Sequence, residues 1–205
     1  MRRVFAGSRS RALVGLLVSA LPVSLPFWAS GCRYKSKTPD EAYQRFAAAV
    51  TAGDGAELFD ALDQQARWSL MTIQKWHREA YDIVLSNYPE GPEREREKQR
   101  FEPAATAPSA REMFSTATAP KLIPTLAPLA AGTPQKVETG PADGQATAVL
   151  ANGSRVPLGR GEDGGWGYAG LDQQTLDDKN RAFHDLEVVR ANAADYERAA
   201  ARAGK

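Results

Sequence analysis

The sequence of 205 residues has few side chains that carry chemistry. It holds one cysteine, Cys32, and two histidines, His77 and His184. A lone cysteine forms no intramolecular disulfide and no thiolate ligand set, and two histidines without paired-ligand spacing do not form a zinc motif. We therefore expect no metal and no other cofactor, and a domain that folds on its hydrophobic core alone.

Several familiar motifs are also missing. The chain after Cys32 contains no Gly-x-Ser-x-Gly elbow of the kind that serine hydrolases use. Residues 159–164 have the spacing of a dinucleotide-binding fingerprint, but they lead into the aromatic stretch 166–168, where that fingerprint requires a helix. No stretch interleaves basic with aromatic side chains, so nucleic acid is not expected as a partner.

The N-terminus differs from the rest of the chain. Four arginines stand before residue 12, the first acidic residue is Asp40, and an apolar stretch interrupted by serine and proline covers 12–28. This pattern is typical of a secretory signal peptide, and its apolar part is too interrupted for a membrane-spanning helix. The stretch ends in Ala29-Ser30-Gly31-Cys32, which resembles the lipobox of bacterial lipoproteins.

The lipobox resemblance implies a cleaved signal peptide over 1–31, a lipid on Cys32 and a tether over 32–38. An uncleaved anchor with an incidental cysteine would not need the small residues of a cleavage site. Arg33 follows the cysteine, where an inner-membrane retention signal has aspartate. We therefore expect anchoring on the periplasmic face of the outer membrane rather than at the inner membrane. Arg2-Arg3 also resembles a twin-arginine core, so both export routes stay open.

The chain after the tether is predicted to form an α+β domain over 39–172. Thr38-Pro39-Asp40-Glu41 places an N-cap, a first-turn proline and a capping-box glutamate before a helical pattern that ends at Gly53. Asp54 is suited to cap a short second helix. The pattern of apolar residues predicts a third, strongly amphipathic helix from about 64 to 85.

Two further helical or irregular segments follow. The sequence after Pro92 predicts a solvated helix with charge pairs Glu93/Arg96 and Glu97/Arg100. The Pro-rich insertion 102–134 holds six of the thirteen prolines. Its methionine, phenylalanine, leucine and isoleucine side chains are too apolar for a free linker, so we expect it to dock on the domain.

Strands are predicted at 135–139, 145–151, 154–158 and 166–169, with a hairpin turn at Asn152-Gly153 and a looser turn at 162–165. A C-terminal helix over 173–205 is predicted to start at Asp172 or Thr175. Its heptad seam is Ala182, Leu186, Val189, Ala193, Tyr196, Ala200 and Ala203.

The seam is rich in alanine and short, so we expect it to dock on its own domain or on a partner protein, with the end frayed after Ala200 and the protein monomeric. The predicted fold class is α+β. It consists of N-terminal helices packed on a small curved antiparallel sheet, with a long C-terminal helix.

Two stretches carry a second resemblance. The opening helices at 38–46 and 53–62, and the closing strands that end in residues 162–166, resemble nuclear-transport-factor-2-like domains of bacterial lipoproteins. The resemblance implies a conical fold in which helices and a curved sheet surround a pocket. It also implies that a histidine or aspartate in the cone can act as general base, as in some enzymes of the family.

His77 is the candidate catalytic residue, because it lies in the apolar arc of the third helix and imidazole titrates near neutral pH. The alternative is a core histidine with hydrogen-bonded ring nitrogens. Ile73 and Tyr81 stand one turn away on either side, so no partner acid is identified. A possible ligand pocket, which is equally an ordinary core, is lined by Trp68, Trp76, His77, Tyr81 and Trp166.

The expected function is a non-enzymatic binding or accessory module of the cell envelope. Its lipid at Cys32 would hold it to the membrane, and its domain would bind an unknown envelope protein or a small apolar ligand. Two alternatives stay open: a pocket enzyme of the nuclear-transport-factor-2-like type that uses His77 as acid/base, and a purely structural envelope component.

Overall fold

Seven α-helices, one π-helical turn and four strands make up the computed structural model, which describes residues 35–203. The helices are α1 (Pro39–Ala52), α2 (Gly55–Ala61), α3 (Gln64–Asn87), α4 (Pro92–Ala105), α5 (Ala110–Met113), α6 (Ala119–Ala130) and α7 (Asp172–Ala203), with the π-helix at Phe114–Thr118. The strands are β1 (Pro134–Thr139), β2 (Gln145–Leu150), β3 (Arg155–Arg160) and β4 (Trp166–Tyr168). The predicted fold class is confirmed.

The helix caps predicted from the sequence are formed. The Glu41 N–H donates to Thr38 Oγ1 at 3.2 Å, and the Glu41 carboxylate accepts from the Lys37 N–H at 2.7 Å. The return bond of the capping box therefore reaches one residue further back than the cap. Gly53 ends α1 at φ +68°, a left-handed conformation that glycine adopts without steric cost, and the Asp54 side chain caps α2.

Helices α3 and α4 pack against each other in antiparallel directions. The side chain of Arg78 donates to the carbonyl of Ala105 at 3.1 Å, and Arg94 donates to the carbonyl of Leu85 at 2.7 Å. The predicted ion pairs of α4 are present, with Arg96–Glu93 at 3.7 Å and Arg100–Glu97 at 3.4 Å. Helix α4 therefore has one face that is exposed to solvent and one face that packs on α3.

Helix α7 lies along α3 in the same direction. The Trp76 ring contacts Phe183 at a centroid distance of 5.3 Å, and further along both helices Asn87 donates to Glu197 at 2.6 Å. In both pairs the α7 residue follows the α3 residue by nearly the same number of positions in the sequence. The two helices are therefore parallel, and they begin at the same end of the domain. The core shared by α3, α4 and α7 consists of Ala80, Val84, Tyr88, Phe101, Leu186, Val189 and Ala193.

The predicted seam of α7 is the face that packs. The buried members are Ala182, Leu186, Val189 and Ala193. Tyr196 is half-buried, and Ala200 and Ala203 are exposed. Docking of this helix on its own domain is therefore confirmed. The backbone is helical to Ala203, beyond the point where the seam leaves its partner helices, and fraying after Ala200 stays a prediction.

The Pro-rich insertion is largely helical, contrary to what its composition suggests. Pro120, Pro124 and Pro128 recur every fourth residue of α6 and are all exposed. The carbonyls that Pro124 and Pro128 leave unpaired therefore face solvent, which lowers the cost of proline inside a helix. The opposite face buries Leu126 and Ala130, so the predicted docking of this segment is confirmed.

The strands form one antiparallel sheet in the order β1-β2-β3-β4. Each strand lies within two residues of its predicted bounds. The predicted hairpin joins β2 to β3, but its turn has three residues rather than two: the Leu150 N–H donates to the Ser154 carbonyl at 2.9 Å, and Gly153 adopts φ +83°. The predicted turn at 162–165 joins β3 to β4, with Gly164 at φ +80°.

The sheet packs on α1 and on the junction between α2 and α3. The ring of Phe46 stacks on Tyr168 at 4.3 Å. A Cβ on Gly167 would lie 2.4 Å from the Leu62 carbonyl oxygen, so only glycine allows β4 to approach this junction. The Asp63 N–H can then donate to the Tyr168 carbonyl at 3.0 Å. This contact fixes the start of α3 against the sheet.

The last residues of the predicted tether also belong to the fold. Ser36 is buried, and its carbonyl accepts from the Trp166 N–H at 2.9 Å. The predicted signal peptide and Cys32 lie outside the described residues. Among residues 35–203, no helix has both the length and the apolar character that crossing a bilayer requires.

Candidate functional site

His77 lies in the wall of a cavity of about 300 Å³ between α3, α4, the π-helix and α7. The apolar part of the lining comprises Leu70, Ile73, Pro103, Ala104, Met113, Ala117 and Ala182. The charged part comprises Arg100, Asp178, Arg181 and Asp185. The cavity therefore combines an apolar interior with a rim of opposite charges.

The His77 ring packs against Phe101, and its Nδ1 atom lacks a hydrogen bond. Phe101 contacts it edge to face at 5.6 Å. The Nδ1 atom is buried and has no hydrogen-bond partner among the described residues. Nearly all buried polar atoms in proteins are paired, so an unpaired one needs a reason. The expected alternative of a core histidine with satisfied nitrogens does not fit this geometry.

Burial lowers the pKa of His77, Asp185 raises it, and Arg100 lowers it further. Burial is the largest of these effects, so the ring is neutral near pH 7. The Asp185 carboxylate is occupied by Arg100 at 2.5 Å, and the Arg100 guanidinium also lies over the Phe101 ring at 5.1 Å. A neutral imidazole offers one nitrogen as donor and the other as acceptor.

The structure does not bring the five predicted pocket residues together. Trp68 is 53% exposed and lines a different cavity from His77. Trp76 packs on Phe183, and the Tyr81 hydroxyl donates to Glu102 at 3.4 Å. Trp166 sits on β4 against the core of the sheet. His77 is therefore the member of the set that faces a cavity with apolar walls.

A pair of carboxyl groups that the sequence did not predict joins the starts of α3 and α7. Asp63 caps α3 by accepting from the Ala66 N–H at 2.8 Å, and Asp172 is the first residue of α7. Asp172 has a buried oxygen, Oδ1, without a partner among the described residues. Both groups line a cavity of about 460 Å³ together with Arg160.

Burial, followed by the hydrogen bond and the negative charge of Asp63, raises the pKa of Asp172 to about 7. Two carboxyl groups this close favour one shared proton. In the sequence these residues are separated by the whole middle of the chain, and each has an ordinary explanation as a helix start. Only the parallel arrangement of α3 and α7 makes them neighbours.

A third cavity, of about 410 Å³, also borders Asp63. Its lining is mostly polar: Asp63, Gln64, Gln65, Ser69, Thr72, Arg160, Gly161, Glu162 and Lys179, with Trp68 as the large apolar side chain. The dinucleotide-like residues 159–164 form the end of β3 and a hairpin turn, as the sequence context predicted. His184 is exposed, as predicted. Within residues 35–203, no three potential ligand side chains are grouped closely enough to hold a metal ion.

Comparison with known proteins finds no match. No family model, no curated protein and no solved structure is significantly similar to this chain. The resemblance to nuclear-transport-factor-2-like domains thus stays a prediction from the sequence. Function has to be argued from the cavities and side chains described above.

Proposed function

We propose that the protein is a lipid-anchored module of the bacterial cell envelope that binds a small apolar ligand carrying one hydrogen-bonding group. The observation that carries this proposal is the neutral ring of His77 in the wall of the apolar cavity. A neutral imidazole donates one hydrogen bond and accepts another, so a ligand with one polar group can pair with this ring while its body contacts the apolar walls.

The size and lining of the cavity limit the ligand. A volume of about 300 Å³ is at the lower end for binding sites, so the ligand is small. Leu70, Ile73 and Met113 offer apolar contacts to its body. The charges of the rim are mutually paired, with Arg100 on Asp185 and Arg181 on Asp178 at 3.5 Å. This balance favours an uncharged ligand over an ionic one.

Binding is better supported than catalysis. A histidine that acts as general base is usually oriented by a group that holds its second nitrogen. Here the nearby carboxylate, Asp185, is paired with Arg100. The pocket-enzyme alternative therefore has a histidine in a cavity but no orienting acid. The lipobox-like sequence before Cys32 supports the anchoring part of the proposal, with the periplasmic face of the outer membrane as the location.

The ligand proposal is tested with N-phenyl-1-naphthylamine, a neutral apolar probe with one N–H group that fluoresces in apolar surroundings. We expect saturable binding to the wild-type protein. Ala117 is an exposed residue of the cavity lining, so Ala117→Trp should fill the cavity without disturbing the core. It should weaken binding about tenfold or more, which corresponds to about 1.4 kcal/mol.

Ala127→Trp provides the matched control, because Ala127 is an exposed residue of the neighbouring helix α6. This variant should bind the probe like the wild type. Equal binding by Ala117→Trp and the wild type would contradict the proposed site. No saturable binding by any of the three proteins would favour the structural alternative.

A further inference from the structure

The chain enters the domain at the turn between β3 and β4. Lys35 Nζ pairs with Asp163 of this turn at 2.9 Å, and the next residue, Ser36, bonds to Trp166. The Asp163 backbone N–H in turn donates to Gln64 Oε1 at 3.4 Å, which connects the turn to the first residue of α3. The entry of the chain and the start of α3 therefore lie at the same end of the domain.

The proposed lipid attachment is close to this end. Cys32 precedes Lys35 by three residues, and three fully extended residues span about 10 Å at most. A lipid on Cys32 would consequently hold Lys35 within about 10 Å of the attachment point, and with it the β3–β4 turn that Lys35 contacts near the membrane surface. This step rests on the lipid anchoring that is part of the proposed function.

The same end exposes the two most accessible large apolar side chains among residues 35–203. Trp68 is 53% exposed and Met71 is 55% exposed, one and two helical turns beyond Gln64. Trp68 also borders a cavity with Gly161 and Glu162 of the β3–β4 turn. Trp68 and Met71 stand three residues apart on a helix and are therefore neighbours on its surface, and a contiguous exposed apolar patch marks a surface that contacts another molecule.

The charge around this patch fits a lipid surface. The sequence from Gln64 to Arg78 contains no acidic residue, and Arg67 and Lys75 flank the two apolar side chains. Arg160 and Lys179 stand on the rim of the adjacent cavity. The acidic residues of that lining are Asp63, which is buried and caps α3, and Glu162, while Asp163 of the turn is paired with Lys35. Tryptophan prefers the interface between water and hydrocarbon, and basic side chains attract anionic headgroups.

We propose that this end of the domain, defined by Trp68, Met71, Arg67 and Lys75, lies on the membrane with Trp68 and Met71 among the lipid headgroups. The tether length sets the distance, the apolar side chains provide the contact and the basic side chains select an anionic surface. The lipid on Cys32 and this face then form two attachment points, and together they fix the orientation of the domain on the bilayer.

The test uses the full acylated protein in vesicles of phosphatidylethanolamine and phosphatidylglycerol. Cys32 is the only natural cysteine, and acylation would block its thiol, so an introduced cysteine takes a nitroxide label uniquely. Met71→Cys probes the proposed face. Leu85→Cys is the control, since Leu85 is an exposed apolar residue of the same helix about 21 Å further along the axis.

We expect the nitroxide at position 71 to collide more often with oxygen than with a water-soluble nickel chelate, and the nitroxide at position 85 to show the reverse. Water-like collision rates at both positions in protein whose mass includes the lipid would overturn the membrane face and leave the anchoring intact. A protein that is exported without gaining the lipid mass would overturn both.

Discussion

One side chain, His77, connects stability with the proposed function. Its unpaired Nδ1 atom destabilises the folded protein, and its ring is a polar group that the cavity wall offers to a ligand. The sequence pointed to His77 through its place on the apolar arc of α3. It could not distinguish a cavity from a filled core, because that depends on the separation of α3, α4 and α7.

His77→Phe should therefore have two opposite effects. The free energy of unfolding should rise by about 1–2 kcal/mol, because an unpaired buried nitrogen is replaced by an apolar ring of similar shape. Affinity for N-phenyl-1-naphthylamine should fall, because the hydrogen-bonding group is lost. Denaturant unfolding and probe titration measure the two quantities.

His184→Phe is the control for this substitution, since His184 is exposed on α7. It should leave both quantities close to their wild-type values. If His77→Phe destabilised the protein, the Nδ1 atom would have a partner and the argument from the unpaired nitrogen would fail.

At the scale of helices and strands, the sequence predicted the features that depend on interactions between residues close in the chain. The Thr38 cap, Gly53, the Asn152-Gly153 hairpin and the α7 seam all depend on residues that are close in the chain, and all are present in the structure. The helical form of α6 was missed, because prolines disfavour a helix unless their unpaired carbonyls face solvent.

The contact between Asp63 and Asp172 was missed for a different reason. Each residue begins a helix, and nothing near either one in the sequence indicates its neighbour. The pair forms only because α7 returns to lie parallel to α3 after the sheet is complete. Long-range arrangements of this kind depend on the packing of several elements at once, which local patterns do not encode.

This pair predicts a pH effect on the start of α7. Since the pKa of Asp172 is raised to about 7 in the folded protein, the folded state binds this proton more tightly than the unfolded chain. Stability should consequently fall as the pH rises from about 4 to about 7 and stay low above that range. Asp172→Asn should remove this contribution, and above pH 7 it should exceed the wild type by on the order of 2 kcal/mol.

Thermal unfolding at a series of pH values measures this difference. Asp143→Asn is the control, because Asp143 lines the same cavity but is exposed. It should follow the wild-type profile. An Asp172→Asn variant that is less stable than the wild type above pH 7 would show that the charged form of Asp172 stabilises the fold.

For the whole molecule, the decisive prediction concerns the lipid. Metabolic labelling with a fatty-acid analogue should mark the wild-type protein and leave Cys32→Ser unlabelled, because the thiol of Cys32 is the proposed site of attachment. The labelled protein should sediment with outer membranes in a density gradient, whereas the serine variant should not be lipid-bound. Label on Cys32→Ser would contradict the lipoprotein assignment, and sedimentation with inner membranes would correct its location.

The parallel packing of α3 and α7 also determines how the domain would respond to force. Helix α7 has 32 residues and is therefore about 48 Å long, and it starts at the end of the domain where the chain enters. A pull between Lys35 and Ala203 would act along the axes of both helices and slide α7 past α3. Leu186, Val189 and Ala193 would then resist the force together rather than one after another, so the domain would be stiff against a pull in this direction.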